Sequence, residues 1–221
     1  MTVFVVSAPS GTGKTTLNRR LLAECPQLEM SISHTTRIPR RGEVNGGHYH
    51  FVSKVEFEDM IRRKNFIEWA EVHGNMYGTS FGELERIEKS GKNPLLEIDV
   101  QGWHNIKPLL PNALSIFILP PSLASLWQRL ESRGSDSLEI RWERLQNAYD
   151  EIKKANEYEV LLINKDLEQA FQKLKSLVMN GKSNLGNSAE GLELCQKLNE
   201  EFETADWIKG LRARLGESPS R

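Results

Sequence analysis

Cysteine is scarce in this 221-residue chain, and long apolar runs are missing. The two cysteines, Cys25 and Cys195, stand far apart and form no Cys-x-x-Cys pair. That argues against a disulfide framework or a cysteine zinc site and fits a reducing compartment. No stretch approaches the roughly 20 apolar residues of a membrane span. The apolar start, MTVFVVSAPS, is too short for a secretory core and has no basic segment before it. An excess of one charge sign is missing as well: 29 Lys and Arg against 30 Asp and Glu leave a formal net charge of −1. Bulk electrostatic binding of nucleic acid or anionic membrane needs a basic excess, so neither partner is expected. These absences describe a soluble cytoplasmic protein. Its length allows one good-sized core with small inserted subdomains.

What is present begins at residue 3. VFVV (Val3 to Val6) is apolar throughout and largely β-branched, as in a strand buried on both faces. SAPSGTGKTT follows, and then a helical pattern with Leu17, Leu21 and Leu22. This is the strand, glycine loop, helix context of a phosphate-binding loop, with Ala8 where the pattern has its first glycine. Phosphate needs inward-pointing backbone N–H groups at a helix N-terminus, and interior glycines let the loop curl. Gly11 and Gly13 supply that freedom, Lys14 can reach the β- and γ-phosphates, and the Thr15 hydroxyl can ligate Mg²⁺. The extra methyl of Ala8 sits at the strand exit, outside the tightest curl.

Three more buried strands are expected, in PLLEIDV (94–100), LSIFILPP (114–121) and EYEVLLINKD (157–166). Asp99 is placed at the end of the first, where open α/β sheets put ligand-binding groups. It could organise magnesium through water or simply cap a helix. SLASLWQRLESRG reads as a helix capped by Ser122 and stopped by Gly134, and LEQAFQKLKSLVMNG as a closing helix. EFEDMIRRKNFIEWAEV alternates charged and apolar residues at helical period. GKSNLGNS reads as a linker. Beyond it Leu192, Cys195, Leu198 and Phe202 share one helical stripe, and Thr204 is placed to cap a short helix with Trp207, Ile208 and Leu211. These helices have either the core or a neighbouring subunit of a homodimer to pack against. Strands alternating with helices predict an α/β fold with a mainly parallel sheet.

From Val3 to about Asn180 the chain closely resembles guanylate kinases. SISHTTRIPRRGEVNGGHYHFV (31–52), FIEWAEVHGNMYGTS (66–80), LLEIDVQG (95–102), IFILPPS, RGSDS and LLINKDLEQA carry the resemblance, in the family's order. It implies transfer of a phosphoryl group from ATP to GMP (with dGMP a further substrate) and Mg²⁺ as cofactor. It also implies a three-layer core (1–32 and 83–181), a GMP-binding insertion (33–82) and a lid (about 126–146), with 182–221 as a helical extension. Position by position, Ala8, Pro9, Ser10, Gly11, Thr12, Gly13, Lys14, Thr15 and Thr16 match the ATP loop, and Asn164 a position near the adenine. Arg37, Arg40, Tyr49 and Tyr77 match ligands of the GMP phosphate, where paired guanidinium groups suit charge-assisted hydrogen bonds. Glu68, Ser33 and Thr79 match the guanine readers and Asp99 a further GMP contact. A carboxylate suits the N1–H and N2–H₂ donors of guanine and repels the N1 acceptor of adenine. Arg129, Arg133 and Arg144 match lid arginines, and Lys14, Arg37 and these three are the expected catalytic cations. Thr15 and Asp99 are the expected magnesium contacts.

Three departures stand out: Ala8 in the loop, His48 before Tyr49, where the family commonly has Asp, and the tail after residue 180, which has no counterpart in the minimal enzyme. His34, His50, His73 and His104 show no metal-ligand spacing and read as ordinary loop or surface residues. Two other functions share many of these residues: a phosphopeptide-binding module that has lost its ATP machinery, and a kinase for another nucleoside monophosphate.

Overall fold

The computed structural model of the chain describes residues 2–72, 74–132, 134, 136–181 and 189–216. They fall into two compact units, Met1–Val5 with Glu24–Ala113 and Val6–Ala23 with Leu114–Arg221. The chain passes between them within β1 (Phe4–Ser7), whose four residues are all buried, as the unbroken apolar run predicts. α1 (Lys14–Glu24) starts directly after the glycine loop and buries Leu17, Asn18 and Leu21.

The first unit continues with β2 (Leu28–Met30), β3 (His34–Thr35), β4 (His50–Phe51) and α2 (Lys54–Arg62). β5 (Phe66–Val72), β6 (Asn75–Ser80), α3 (Phe81–Lys89), β7 (Asn93–Glu97) and α4 (Val100–Ile106) complete it. β2 pairs with β7 in parallel, Met30 facing Leu95. A second sheet has the order β4-β3-β6-β5, with β3 parallel to β4 and antiparallel to β6, and β5 antiparallel to β6. Helical period was expected through residues 56–72, but the helix stops at Arg62. A capping box fixes its start: Glu56 N–H donates to Ser53 Oγ at 3.2 Å and Ser53 N–H to Glu56 Oε2 at 2.7 Å. Lys64 at φ +55° then breaks the helical path, and Phe66, Ile67 and Trp69 continue as β5 in a hairpin with β6. Aromatic and β-branched side chains pack better on that pleated surface.

The second unit contains β8 (Leu114–Leu119), α5 (Leu123–Glu131), α6 (Leu138–Lys153), β9 (Val160–Ile163), α7 (Leu167–Asn180), α8 (Ala189–Thr204) and α9 (Asp206–Arg214). β8 is wholly buried and pairs in parallel with β9. The α/β class with parallel strands thus holds in both units. Ser122 caps α5 as expected, but the helix ends at Glu131, short of Gly134. α8 buries Gly191, Cys195, Leu198 and Phe202 against α5, α6 and β9 of its own unit, while Leu192 stays partly exposed. Thr204 does not cap α9. Its hydroxyl donates back to Glu200 O at 2.7 Å and closes α8, and Ala205 is the N-cap without a side-chain bond. Among the described residues no helix is long and apolar enough to cross a membrane.

Candidate functional site

The glycine loop belongs to the second unit. Thr12 is buried and folds back on Pro9 O, through its N–H at 3.2 Å and its Oγ1 at 2.7 Å. Gly11 and Gly13 have φ of +94° and +97°, the left-handed side that only glycine takes without strain. A Cβ on Gly13 would stand 2.8 Å from Asn164 Nδ2. α1 therefore begins at Lys14 with its first N–H groups beside the loop and no acidic residue in its first turn to neutralise the dipole. Ser10, Thr15 and Thr16 are exposed there, and Pro9 is buried.

Two residues from elsewhere in this unit hold the loop. Asn164, just past β9, is buried and donates from Nδ2 to Thr12 O at 2.6 Å. Arg129, on α5, donates to Thr12 O at 3.3 Å and to Asn164 O at 3.2 Å. The asparagine expected near the adenine is a strut of the loop in this structure. Arg144, on α6, pairs with Asp136 at 3.1 Å. Arg133 lies outside the described residues.

The first unit carries a cleft of about 510 Å³, lined by Ser33, Glu68, Tyr77, Asp99 and their neighbours. β5 and β6 bring Glu68 opposite Thr79, and Glu68 Oε1 accepts the Thr79 N–H at 3.0 Å. Burial raises the Glu68 carboxyl pKa, hydrogen bonds from Thr79 oppose the rise, and the charge of Asp99 adds to it; the net direction is up. Asp99 does not end a strand. β7 stops at Glu97, and Asp99 caps α4, its Oδ1 accepting Gly102 N–H at 2.7 Å.

Arg37, Tyr49 and Tyr77 meet near this cleft. The Arg37 guanidinium carbon lies 5.5 Å from the Tyr49 ring centre, and the two tyrosine rings are 5.9 Å apart. Sequence reasoning passed over Glu43. Arg37 Nη2 donates to both its oxygens, at 2.8 and 2.9 Å, and Arg40 N–H donates to Oε2 at 2.7 Å. An acid three residues after Arg40 in RRGEV was the available signal. A carboxylate thus sits on the cation expected to take a phosphate. Arg40 itself is exposed. His48 accepts Val44 N–H on Nδ1 at 3.1 Å and so ties the turn before Tyr49.

A second cavity of about 540 Å³ lies against His34, His50, Lys64 and Glu83 and includes none of the expected site residues. His73 lies outside the described residues, and His34 and His50 are not plain surface side chains. Their rings are 4.6 Å apart, and His50 Nε2 is 3.3 Å from the buried Glu83. Burial, then the charge of His50, lowers the His34 pKa to about 4, with Glu83 opposing. Among the described residues no group of three or more His, Cys, Asp or Glu is arranged to hold a metal.

A family model described as guanylate kinase matches residues 1–181. A guanylate kinase of Neisseria meningitidis serogroup A is 49% identical over 176 residues, 80% of this chain and 86% of the relative. One from Dechloromonas aromatica is 48% identical over 176 residues, 80% and 87% of the two chains. The crystal structure of guanylate kinase from Anaplasma phagocytophilum superposes with a TM-score of 0.61 at 28% identity, covering 98% of this chain and 96% of the other. The family model over residues 1–181, and relatives nearly half identical over most of their length, show that the chain belongs to the guanylate kinase family.

Proposed function

We propose that the loop of residues 8–16 holds ATP and the Glu68 cleft holds GMP, so that the chain works as the ATP:GMP phosphotransferase its family is. A GMP phosphate oxygen attacks the γ-phosphorus of ATP, the bond to the ADP oxygen breaks, and GDP and ADP leave. The nucleophile is already anionic, so the chain needs no general base. Its work is positioning and charge neutralisation. Lys14 and the loop N–H groups cradle the ATP phosphates. Arg37 and Arg40, with the phenols of Tyr49 and Tyr77, take the GMP phosphate. Glu68 accepts from guanine N1–H and N2–H₂, and Ser33 and Thr79 offer hydroxyls to O6. Arg129, Arg133 and Arg144, in the lid of residues 126–146, neutralise the group in transfer.

The Thr15 hydroxyl, exposed in the first turn of α1, suits Mg²⁺, a hard ion that takes oxygen ligands and keeps several waters. When bound, Mg²⁺ would neutralise phosphate charge. Asp99 would act through water. Nothing in the cleft is assigned to the ribose 2′-hydroxyl, so dGMP is a substrate as well.

The observation that carries this reading is the partly buried Glu68 carboxylate, fixed by Thr79 in the same cleft as Ser33 and Tyr77. It argues for guanine over the other bases. A phosphopeptide-binding module would have no use for Lys14, two positive-φ glycines and the arginine brace on Thr12. The test is Glu68→Gln, assayed with GMP and with AMP at saturating ATP. KM for GMP should rise by about 10²-fold or more, the scale of losing a charged partner for two donors, with KM for ATP unchanged. Unaltered discrimination would remove Glu68 as the base reader.

A further inference from the structure

The family match stops at residue 181, yet α8 and α9 are built into the unit that carries the glycine loop. Their most specific contact is with a helix N-terminus. A helix leaves its first N–H groups without intrahelical partners. In α5, Ser122 Oγ accepts the Ser125 N–H at 3.0 Å. The two N–H groups before it, of Leu123 and Ala124, donate to the two carboxylate oxygens of Glu201 on α8, at 2.9 and 3.0 Å. A bidentate carboxylate at the positive end of a helix fixes both its position and its direction.

The same tail grips α6. The Phe202 ring stacks on Tyr149 at 4.0 Å and lies parallel to Trp142 at 5.8 Å. The Arg212 guanidinium lies over Phe202 at 4.9 Å, and the Tyr149 hydroxyl donates to Glu203 at 2.7 Å. α8 also comes close to β9, where a Cβ on Gly191 would stand 2.7 Å from Leu161 Cβ. The three elements held this way are α5, which bears Arg129, α6, which bears Arg144, and β9, which runs into Asn164. Arg129 and Asn164 both bond to Thr12 O in the glycine loop.

We infer that the C-terminal helix pair is a brace for the lid, and that Glu201 is a positioning residue that sets α5, and through it Arg129, against the glycine loop. This rests on the reading of Arg129 as a lid arginine acting at the ATP phosphates. Glu201 touches no substrate. Its effect belongs to ATP alone, because the GMP cleft is built from residues of the other unit.

The test compares Glu201→Gln, Glu201→Ala and Arg129→Lys in the full chain, with kcat and both KM values measured at 25 °C and thermal midpoints recorded separately. Glu201→Gln keeps one acceptor and loses the charge. It should raise KM for ATP or lower kcat by about fivefold in combination, with KM for GMP unchanged. Glu201→Ala should do so by about tenfold or more, in the same direction. Lowered thermal midpoints with wild-type ATP kinetics in both Glu201 variants would overturn the inference, since a merely structural tail predicts that result. Equal loss of GMP and ATP parameters would overturn it too. If Arg129→Lys left ATP kinetics intact, the lid reading itself would fail. Impaired Arg129→Lys beside intact Glu201 variants would sink only the brace. Should Glu201→Ala fail to fold, the isosteric Gln variant decides alone.

Discussion

At the residue scale, the testable places are those where burial or a close charge shifts an ionisable group, at Glu68, His34 and Glu43. Glu68 has a raised pKa, so its ionised form, the one proposed to bind guanine, is lost at a higher pH than for an ordinary glutamate. As pH falls, KM for GMP should rise on an acid limb lying above the usual carboxylate range. GMP's own phosphate titrates near pH ~6, so the diagnostic is the difference between wild type and Glu68→Gln, which should lack the carboxylate limb. Identical acid limbs in both would exclude Glu68 as its source. His34 works in the opposite sense. Its folded pKa is depressed to about 4 from 6.5, chiefly by burial. Protonation therefore favours the unfolded chain, and this stability is full above pH 6.5 and lost as pH falls from there toward 4. His34→Gln should flatten that decline in urea midpoints. An unchanged slope would mean that other groups dominate acid unfolding. Glu43 holds the Arg37 guanidinium in both its oxygens. Glu43→Gln would free the arginine from a charged partner but loosen its orientation, and orientation should win: KM for GMP rises by about five- to tenfold. Tighter GMP binding would instead make Glu43 a competitor for the site.

At the scale of elements, legibility followed burial. β1 and β8 are apolar at nearly every position and were readable without any partner, as was the stripe of Cys195, Leu198 and Phe202. The segment from Phe66 was misread because its alternation of Glu68, Trp69, Ala70 and Glu71 suits either period. The choice was made by Lys64 at φ +55° and by pairing with β6, neither visible in a local window. Asp99 was assigned to a strand end because Ile98 prolongs the apolar run, whereas the chain had already turned to start α4. Glu201 could not be found from sequence at all: its partners are backbone N–H groups 77 and 78 positions away, which carry no side-chain signature. The glycine loop was legible because its conformation demands particular residues. Gly13→Ala would combine a left-handed φ, a cost of about 1–3 kcal/mol, with a 2.8 Å approach to Asn164 Nδ2. kcat/KM for ATP should fall by about 10²-fold or more, with GMP binding by calorimetry unchanged. Near-normal ATP kinetics would show the loop to be more compliant than its geometry indicates.

For the whole molecule, the residues proposed to act on the two nucleotides divide between two units, Lys14, Arg129 and Arg144 in one and Ser33, Arg37, Glu68 and Asp99 in the other. Each nucleotide should therefore stabilise the chain independently. At 100 times its Kd a ligand adds about 2.7 kcal/mol to the state that binds it. Lys14→Ala should keep the thermal shift produced by GMP and lose most of that produced by ATP. Loss of both shifts together would contradict independent sites. The central claim is guanine-selective phosphoryl transfer. Its most direct test is ADP release in a coupled assay with ATP, Mg²⁺ and each of GMP, AMP, CMP and UMP, beside Lys14→Ala. Fast turnover with GMP alone, abolished in the variant, is the predicted result. Equal turnover with all four nucleotides, or GMP binding without turnover, would contradict it.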